Sequence, residues 1–156
     1  MRGSEVACLD DLDKNVLRLL QRKGTFSGAK MARDLGVPES TVYDRIKKLK
    51  HRGYIHSYLA LIDPDKVGVG TAAFFKIFVD INHVNSVASE LSRLEEVAEV
   101  YAVAGDFKIL MKVRVESLDA LDKFIEEKIS VLEGITNYYP IIALRKYKDD
   151  PRVPIK

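Results

Sequence analysis

"GVPESTVYDRIKKL", residues 36–49, decides how the first third of this chain folds. A glycine and a proline open it. Val42, Ile46 and Leu49 then recur at spacings of four and three, the stripe of a helix with one buried side. Immediately upstream, "SGAKMARDLG" reads as a short helix that Ser27 caps, with Met31, Ala32 and Leu35 inward and Gly36 ending it. Before that, Leu9, Leu12, Val16, Leu19 and Leu20 repeat at helical spacing. Asp10, Asp11 and Asp13 stand at the start of that first helix and Arg22 and Lys23 at its end, as the helix dipole prefers, and Gly24 stops it. These are three helices with short connections, the last two separated by three or four residues, which is the outline of a helix-turn-helix. Pro38 makes the third helix start unusually: Val37 is its cap if Pro38 is the first helical residue.

The outer face of the third helix carries Ser40, Asp44, Lys47 and His51, flanked by Tyr43 and Lys48. An α-helix fits the major groove of B-DNA, and the N-terminal residues of a recognition helix meet the base edges. Ser40, Tyr43, Asp44 and Lys47 are therefore the base-reading candidates, since Asp accepts from a cytosine amino group and Lys donates to guanine. Thr41, Arg45, Lys48, Lys50 and Arg52 read instead as phosphate contacts, which position a protein without reading sequence. The plain alternative is a solvated amphipathic helix; the glycine turn and the preceding short helix favour DNA.

Charge supports a division of labour. Residues 1–58 hold 12 Lys/Arg against 7 Asp/Glu, whereas residues 59–156 hold 13 against 16, giving +5 and −3 within an overall +2. A basic N-terminal part suits a polyanion, and a mildly acidic remainder suits another task. After Gly53, "YIHSYLALI" is β-branched and aromatic and reads as a strand, and "DPDKVGVG" as a turn-rich connector. The domains are therefore expected as 1–60 for DNA, 61–70 as linker, 71–148 for sensing and assembly, and 149–156 as a tail.

The second part alternates strands and helices. "TAAFFKIFVDI" is a strand with Phe75, Ile77, Val79 and Ile81 facing one way and Phe74, Lys76, Phe78 and Asp80 the other. "VNSVASELSRL" is a helix with Val84, Val87, Ala88, Leu91 and Leu94 inward, and "VAEVYAVAG" and "KILMKVRVE" form a hairpin joined tightly through Gly105-Asp106. "SLDALDKFIEEKISVL" is a helix capped by Ser117, and "ITNYYPIIALRKY" is a last strand broken or edged at Pro140. The order β-α-β-β-α-β is ferredoxin-like, so the fold class is α+β. Two helices cover one sheet face; the other, with Phe74 and Phe78, predicts self-association. "KDDPRVPIK" reads as a loose end or a strap onto a neighbour.

No apolar run approaches the roughly 18 residues of a membrane span, and the N-terminus has no signal-peptide core, so a cytoplasmic location is expected. Cys8 is the only cysteine, which excludes an internal disulfide and a two-thiol metal or redox site.

Residues 9–148 resemble the Lrp/AsnC (feast/famine) transcription regulators. "LDDLDKNVLRLLQ", "LGVPESTVYDRIKKL" and "GYIHSYLALIDPDKVG" follow the order of that family's N-terminal module, and "VYAVAGDFKILMKVRVESLDALDKFIEEKI" with "LEGITNY" resembles its C-terminal regulation-of-metabolism (RAM) domain. The resemblance implies a winged helix-turn-helix on a βαββαβ domain, dimers whose sheets pack face to face, often a ring of four dimers, and operator binding modulated by an amino acid. The effector position it implies falls on Gly105, Asp106 and Thr136. Many members read G-D-x-D at that turn, whereas this chain reads Gly105-Asp106-Phe107-Lys108, which reverses a charge there and points either to a different effector with an acidic group or to none.

Two other functions compete with this reading. An architectural DNA-compacting protein is weakened by the modest net charge, and continuous rather than discrete footprints would reveal it. An enzyme with this body, such as a sirohaem decarboxylase subunit, needs clustered acid/base or ligand residues. His51, His56 and His83 are the only histidines, none at a recognised ligand or acid-pair spacing, and no phosphate-loop pattern occurs. No enzyme activity, cofactor or metal is expected; double-stranded DNA, an amino-acid effector and a homodimer or octamer are.

Overall fold

The computed structural model describes residues 9–23 and 27–156, with Lys23 described in its backbone alone. Cys8 and the proposed stop at Gly24 lie outside the described residues. The chain divides into two compact units: residues up to Leu61 together with Asp150–Lys156, and Ile62–Asp149.

The first unit is built on α1 (Asp11–Lys23), α2 (Gly28–Leu35) and α3 (Glu39–His51). Asp10 caps α1, its Oδ1 accepting from the Asp13 N–H at 2.7 Å. Ser27 Oγ accepts from the Lys30 N–H to open α2, and Gly36 closes it in the left-handed region at φ 66°. The Val37 N–H returns to the Ala32 carbonyl at 3.1 Å, so this turn satisfies the carbonyls a helix end orphans. The cap of α3 is Pro38, one residue later than the sequence suggests; its carbonyl accepts from Thr41 and Val42. Val16, Met31, Ala32, Val42, Ile46 and Leu49 form the core of this unit.

The strand expected over 54–62 is not formed: residues 55–62 have no ladder partner, and no strand occurs among the described residues of the first unit. A strand exists only when its N–H and C=O groups pair, and the first unit offers none to pair with. The wing is therefore not present as a strand. Tyr58, Leu59, Leu61 and Ile62 stand exposed instead, Leu59 at 77%.

In the second unit, β1 (Thr71–Val79), α4 (Val84–Leu91), β2 (Val97–Ala102), β3 (Ile109–Val115), α5 (Leu118–Phe124) and β4 (Ile135–Ile142) give the ferredoxin-like order. The sheet runs β2-β3-β1-β4, every pair antiparallel. Alternation sends Ala73, Phe75, Ile77 and Val79 of β1 and Ile109, Met111, Val113 and Val115 of β3 onto the helix-covered face. Ile81 does not join them: β1 ends at Val79, and Ile81 is exposed beyond it. Pro140 lies in β4, an edge strand, where its missing donor faces no neighbour.

The helix expected over 117–132 is α-helical only to Phe124 and continues as a π-helical turn, Ile125–Ile129. Ser130 N–H reaches back five residues to the Ile125 carbonyl at 2.9 Å. Burial explains this. Phe124 and Ile129 are both buried, yet positions five apart stand about 140° apart on a regular α-helix. The wider turn brings both onto the core.

Candidate nucleic-acid interface and effector turn

The α2–α3 crossing shapes the outer surface of α3. Gly28, buried at the start of α2, lies under the Tyr43 ring: a Cβ there would meet Tyr43 Cε2 at 2.7 Å and Glu39 Oε1 at 2.8 Å. The glycine lets the ring rest on α2 while Tyr43 remains 49% exposed. Ser40, Asp44 and Lys47 are exposed beside it, and Thr41 is half-buried. Val42, Ile46 and Leu49 hold this helix from beneath, as their spacing predicts.

The cations sort differently from the sequence expectation. Arg45 is committed within the unit: its Nη1 donates to Asp13 Oδ1 at 3.1 Å and to Asp10 Oδ2. Asp13 is only 5% exposed, and this ion pair accompanies its burial. Arg45 thus ties the start of α1 to α3. Lys50 Nζ sits 4.5 Å from the Tyr58 ring centroid and the Arg52 guanidinium 5.1 Å from that of Tyr54. Both cations thus lie over aromatic faces contributed by the segment after Gly53, an arrangement that nothing in their spacing foretold. Lys47 and Lys48 are exposed on α3.

In the second unit, β2 and β3 are joined by six residues, 103–108, not by a two-residue turn at Gly105-Asp106. The Val103 N–H donates to the Lys108 carbonyl at 2.9 Å, and the Lys108 N–H to the Ile77 carbonyl at 3.0 Å. Gly105 takes φ 153° and is exposed, as is Asp106. Thr136 Oγ1 donates to the Phe78 carbonyl at 3.2 Å. The three effector candidates are therefore brought to one end of β1, where Ile77 and Phe78 offer successive carbonyls. Lys108 Nζ folds onto the Gly105 carbonyl at 3.3 Å.

Sequence reasoning missed the aromatic run beside this turn. The Phe78 ring lies tilted at 6.3 Å from Phe107 and edge-to-face at 5.6 Å from Tyr139, and Lys76 Nζ lies 5.6 Å from the Phe107 centroid. The register Lys76↔Tyr139 and Phe78↔Asn137 carries the signal, but only once β4 is known to pair with β1.

Among the described residues no three His, Cys, Asp or Glu side chains gather as a metal site. His83 Nδ1 lies 3.8 Å from Asp80 Oδ1, an acid contact three residues away that the sequence reading had not paired. No helix is long and apolar enough to cross a membrane among the described residues.

Comparison with known proteins places both halves. A family model described as the AsnC-type helix-turn-helix domain matches residues 9–50, and one described as the Lrp/AsnC ligand binding domain matches residues 72–153. The HTH-type transcriptional regulator FL11 of Pyrococcus furiosus is 31% identical over 156 residues, all of both chains. The leucine-responsive regulatory protein of Klebsiella pneumoniae is 28% identical, over 95% of this chain and 92% of its own. Among solved structures, AsnC of E. coli matches at a TM-score of 0.86 and 27% identity, covering 96% of this chain and 99% of that one. The feast or famine regulatory protein of M. tuberculosis, complexed with L-methionine, matches at 0.86 and 29%, covering 96% and 100%. With both modules matched in order and a full-length relative above 30% identity, the chain belongs to the Lrp/AsnC family of transcriptional regulators.

Proposed function

We propose that this regulator reads operator DNA through the exposed N-terminal face of α3, as a dimer or a larger ring, and that an amino acid bound near residues 103–108 modulates it. The carrying observation is that Ser40, Tyr43, Asp44 and Lys47 form an exposed patch on the second helix of a helix-turn-helix, with their helix anchored beneath by Val42, Ile46 and Leu49. Lys48, with Lys50 and Arg52 on their aromatic platforms, supplies phosphate contacts. On this reading residues 1–60 form the DNA-binding part, 61–70 the linker and 71–148 the sensing and assembling part.

The L-methionine complex of the M. tuberculosis relative supports an amino-acid effector here. Gly105, Asp106 and Thr136 are its proposed contacts. Lys108 supplies a cation at this turn, which favours an effector with an additional acidic group. Self-association is supported by a sheet covered by helices on one face only and by the exposed apolar segment 58–62.

Two variants test the DNA reading. Lys48→Ala weakens binding to specific and random DNA alike and lowers the salt slope by about one, as loss of a phosphate contact requires. Tyr43→Ala narrows the gap between specific and random DNA by about 1 kcal/mol. Fluorescence-anisotropy titrations of both variants on both DNAs at several salt concentrations decide it; identical losses on the two DNAs for Tyr43→Ala reject the assignment. Selecting bound sites from random DNA with and without a panel of amino acids identifies operator and effector together.

A further inference from the structure

We propose that the last seven residues, Asp150–Lys156, are a working part of the DNA-binding unit: a strap on α1 that fixes the helix against which α3 is held. The segment is continuous with the second unit's last strand, yet it packs within the first unit. Its attachment is specific. Gln21 reads the Val153 backbone in both directions, Nε2 donating to the Val153 carbonyl at 3.1 Å and Oε1 accepting from the Val153 N–H at 2.8 Å. Arg18 donates to the Ile155 carbonyl at 3.0 Å, and Ile155 is half-buried. Arg18 and Gln21 are three apart on one face of α1, and Val153 and Ile155 are two apart along the strap, so a helical period matches an extended one.

The strap's sequence prepares it for this. Pro151 and Pro154 hold φ near its extended value and carry no N–H, so ordering the segment costs little chain entropy. Asp150 fixes the entry: its carboxylate takes the Arg152 guanidinium through two bonds of 2.8 Å and also accepts the Arg152 N–H. One residue earlier, Asp149 is held inside the second unit by Lys112, at 3.0 Å, and by Arg114 of β3. The chain is thus pinned on both sides of the boundary between units.

At the start of α1, the cap Asp10 and Asp13 grip Arg45 of α3. A contiguous path therefore runs from strap to α1 to Arg45 to the DNA-facing helix. The chain enters the DNA-binding unit twice: covalently through residues 62–70, and at its other end through the hydrogen bonds that hold the strap to α1.

Three variants test this: a chain ending at Asp149, Gln21→Ala, and Val153→Pro, which removes the N–H that Gln21 Oε1 accepts. Hydrogen exchange of α1 amides and DNA affinity are measured for each. We expect about fivefold faster α1 exchange for each single variant and at least tenfold for the truncation, with β1 and β3 protection unchanged. Specific DNA binding weakens in the same order. Unchanged α1 exchange in the truncated chain and in Val153→Pro overturns the proposal. So does a truncation that weakens DNA binding while Val153→Pro, which alters no charge, leaves it intact; Arg152 and Lys156 would then be touching DNA directly.

Discussion

At the scale of single residues, Arg45 shows how an arginine on a DNA-facing helix can belong to the fold. Its composition and position suggest a phosphate contact, but Asp13 is buried and a buried carboxylate without a partner is costly. One guanidinium nitrogen, Nη1, donates to Asp10 and Asp13 together. Arg45→Ala is expected to destabilise the protein by about 2 kcal/mol and Arg45→Lys by somewhat less, read from urea unfolding; charged hydrogen bonds are worth about that much. A loss of DNA affinity without a loss of stability would return Arg45 to the phosphate contacts. Asp10 adds a pH signature. The Asp13 N–H bonded to its carboxylate holds its pKa below the usual value, and Arg45 adds to this against the opposing effect of desolvation. A depressed carboxylate contributes stability that is present above its unfolded pKa of about 3.9 and is lost as pH falls through the folded value. Asp10→Asn should therefore lower stability at neutral pH and flatten its decline in acid, a difference visible in unfolding midpoints between pH 7 and pH 3.

At the scale of elements, glycines and local pairing decide where segments end. Gly134 takes φ 92°, and a Cβ there would meet His83 Cγ at 2.6 Å, close to the backbone that starts α4. Its carbonyl also accepts the Asp80 N–H at 2.9 Å. Strain and overlap act together, so Gly134→Ala is expected to cost about 2–3 kcal/mol, with the loss appearing first as faster exchange at Asp80 and His83. An equally stable variant would show that the α4 entry can shift freely. The same local logic explains what was legible in advance. The three helices, the Gly36 turn and the β1 alternation follow from periods of 3.6 and 2 that are written in one segment each. The strand over 54–62 was misread because its β-rich text needs a partner that the first unit does not supply. The π turn at 125–129 was invisible because it answers the positions of Phe124 and Ile129 in a core assembled from distant strands. The aromatic run Phe107, Phe78 and Tyr139, and the Gln21–Val153 bonds, join residues far apart in sequence, so no local pattern announces them.

At the scale of the whole molecule, each unit leaves one surface unfinished in a way that fits a regulator. The first leaves the polar patch of α3; the second leaves an apolar sheet face. Register puts Phe74, Lys76 and Phe78 of β1, Leu110 of β3, Tyr101 of β2 and Tyr139 and Ile141 of β4 on the face opposite the helices. Tyr101, Tyr139 and Ile141 are about half exposed, while Lys112 and Arg114 on the same face are tied to Glu99 and Asp149 rather than left to repel a partner. Such a face costs free energy in water, at about 25 cal/mol for each Å² of apolar surface that stays uncovered, so covering it with a second copy is favourable. A dimer also presents two α3 helices to half-sites on one DNA, which converts the second contact into an intramolecular one. Phe78→Asp places a charge on this face, at its end of β1, without touching the helix-covered core. It should lower the mass in sedimentation equilibrium toward that of one chain while far-ultraviolet circular dichroism stays unchanged. Affinity for a two-half-site operator should then fall at least tenfold, toward the affinity for a single half-site. An undiminished mass would place the assembly surface elsewhere, with the exposed segment 58–62 the next to be tested by Leu59→Asp.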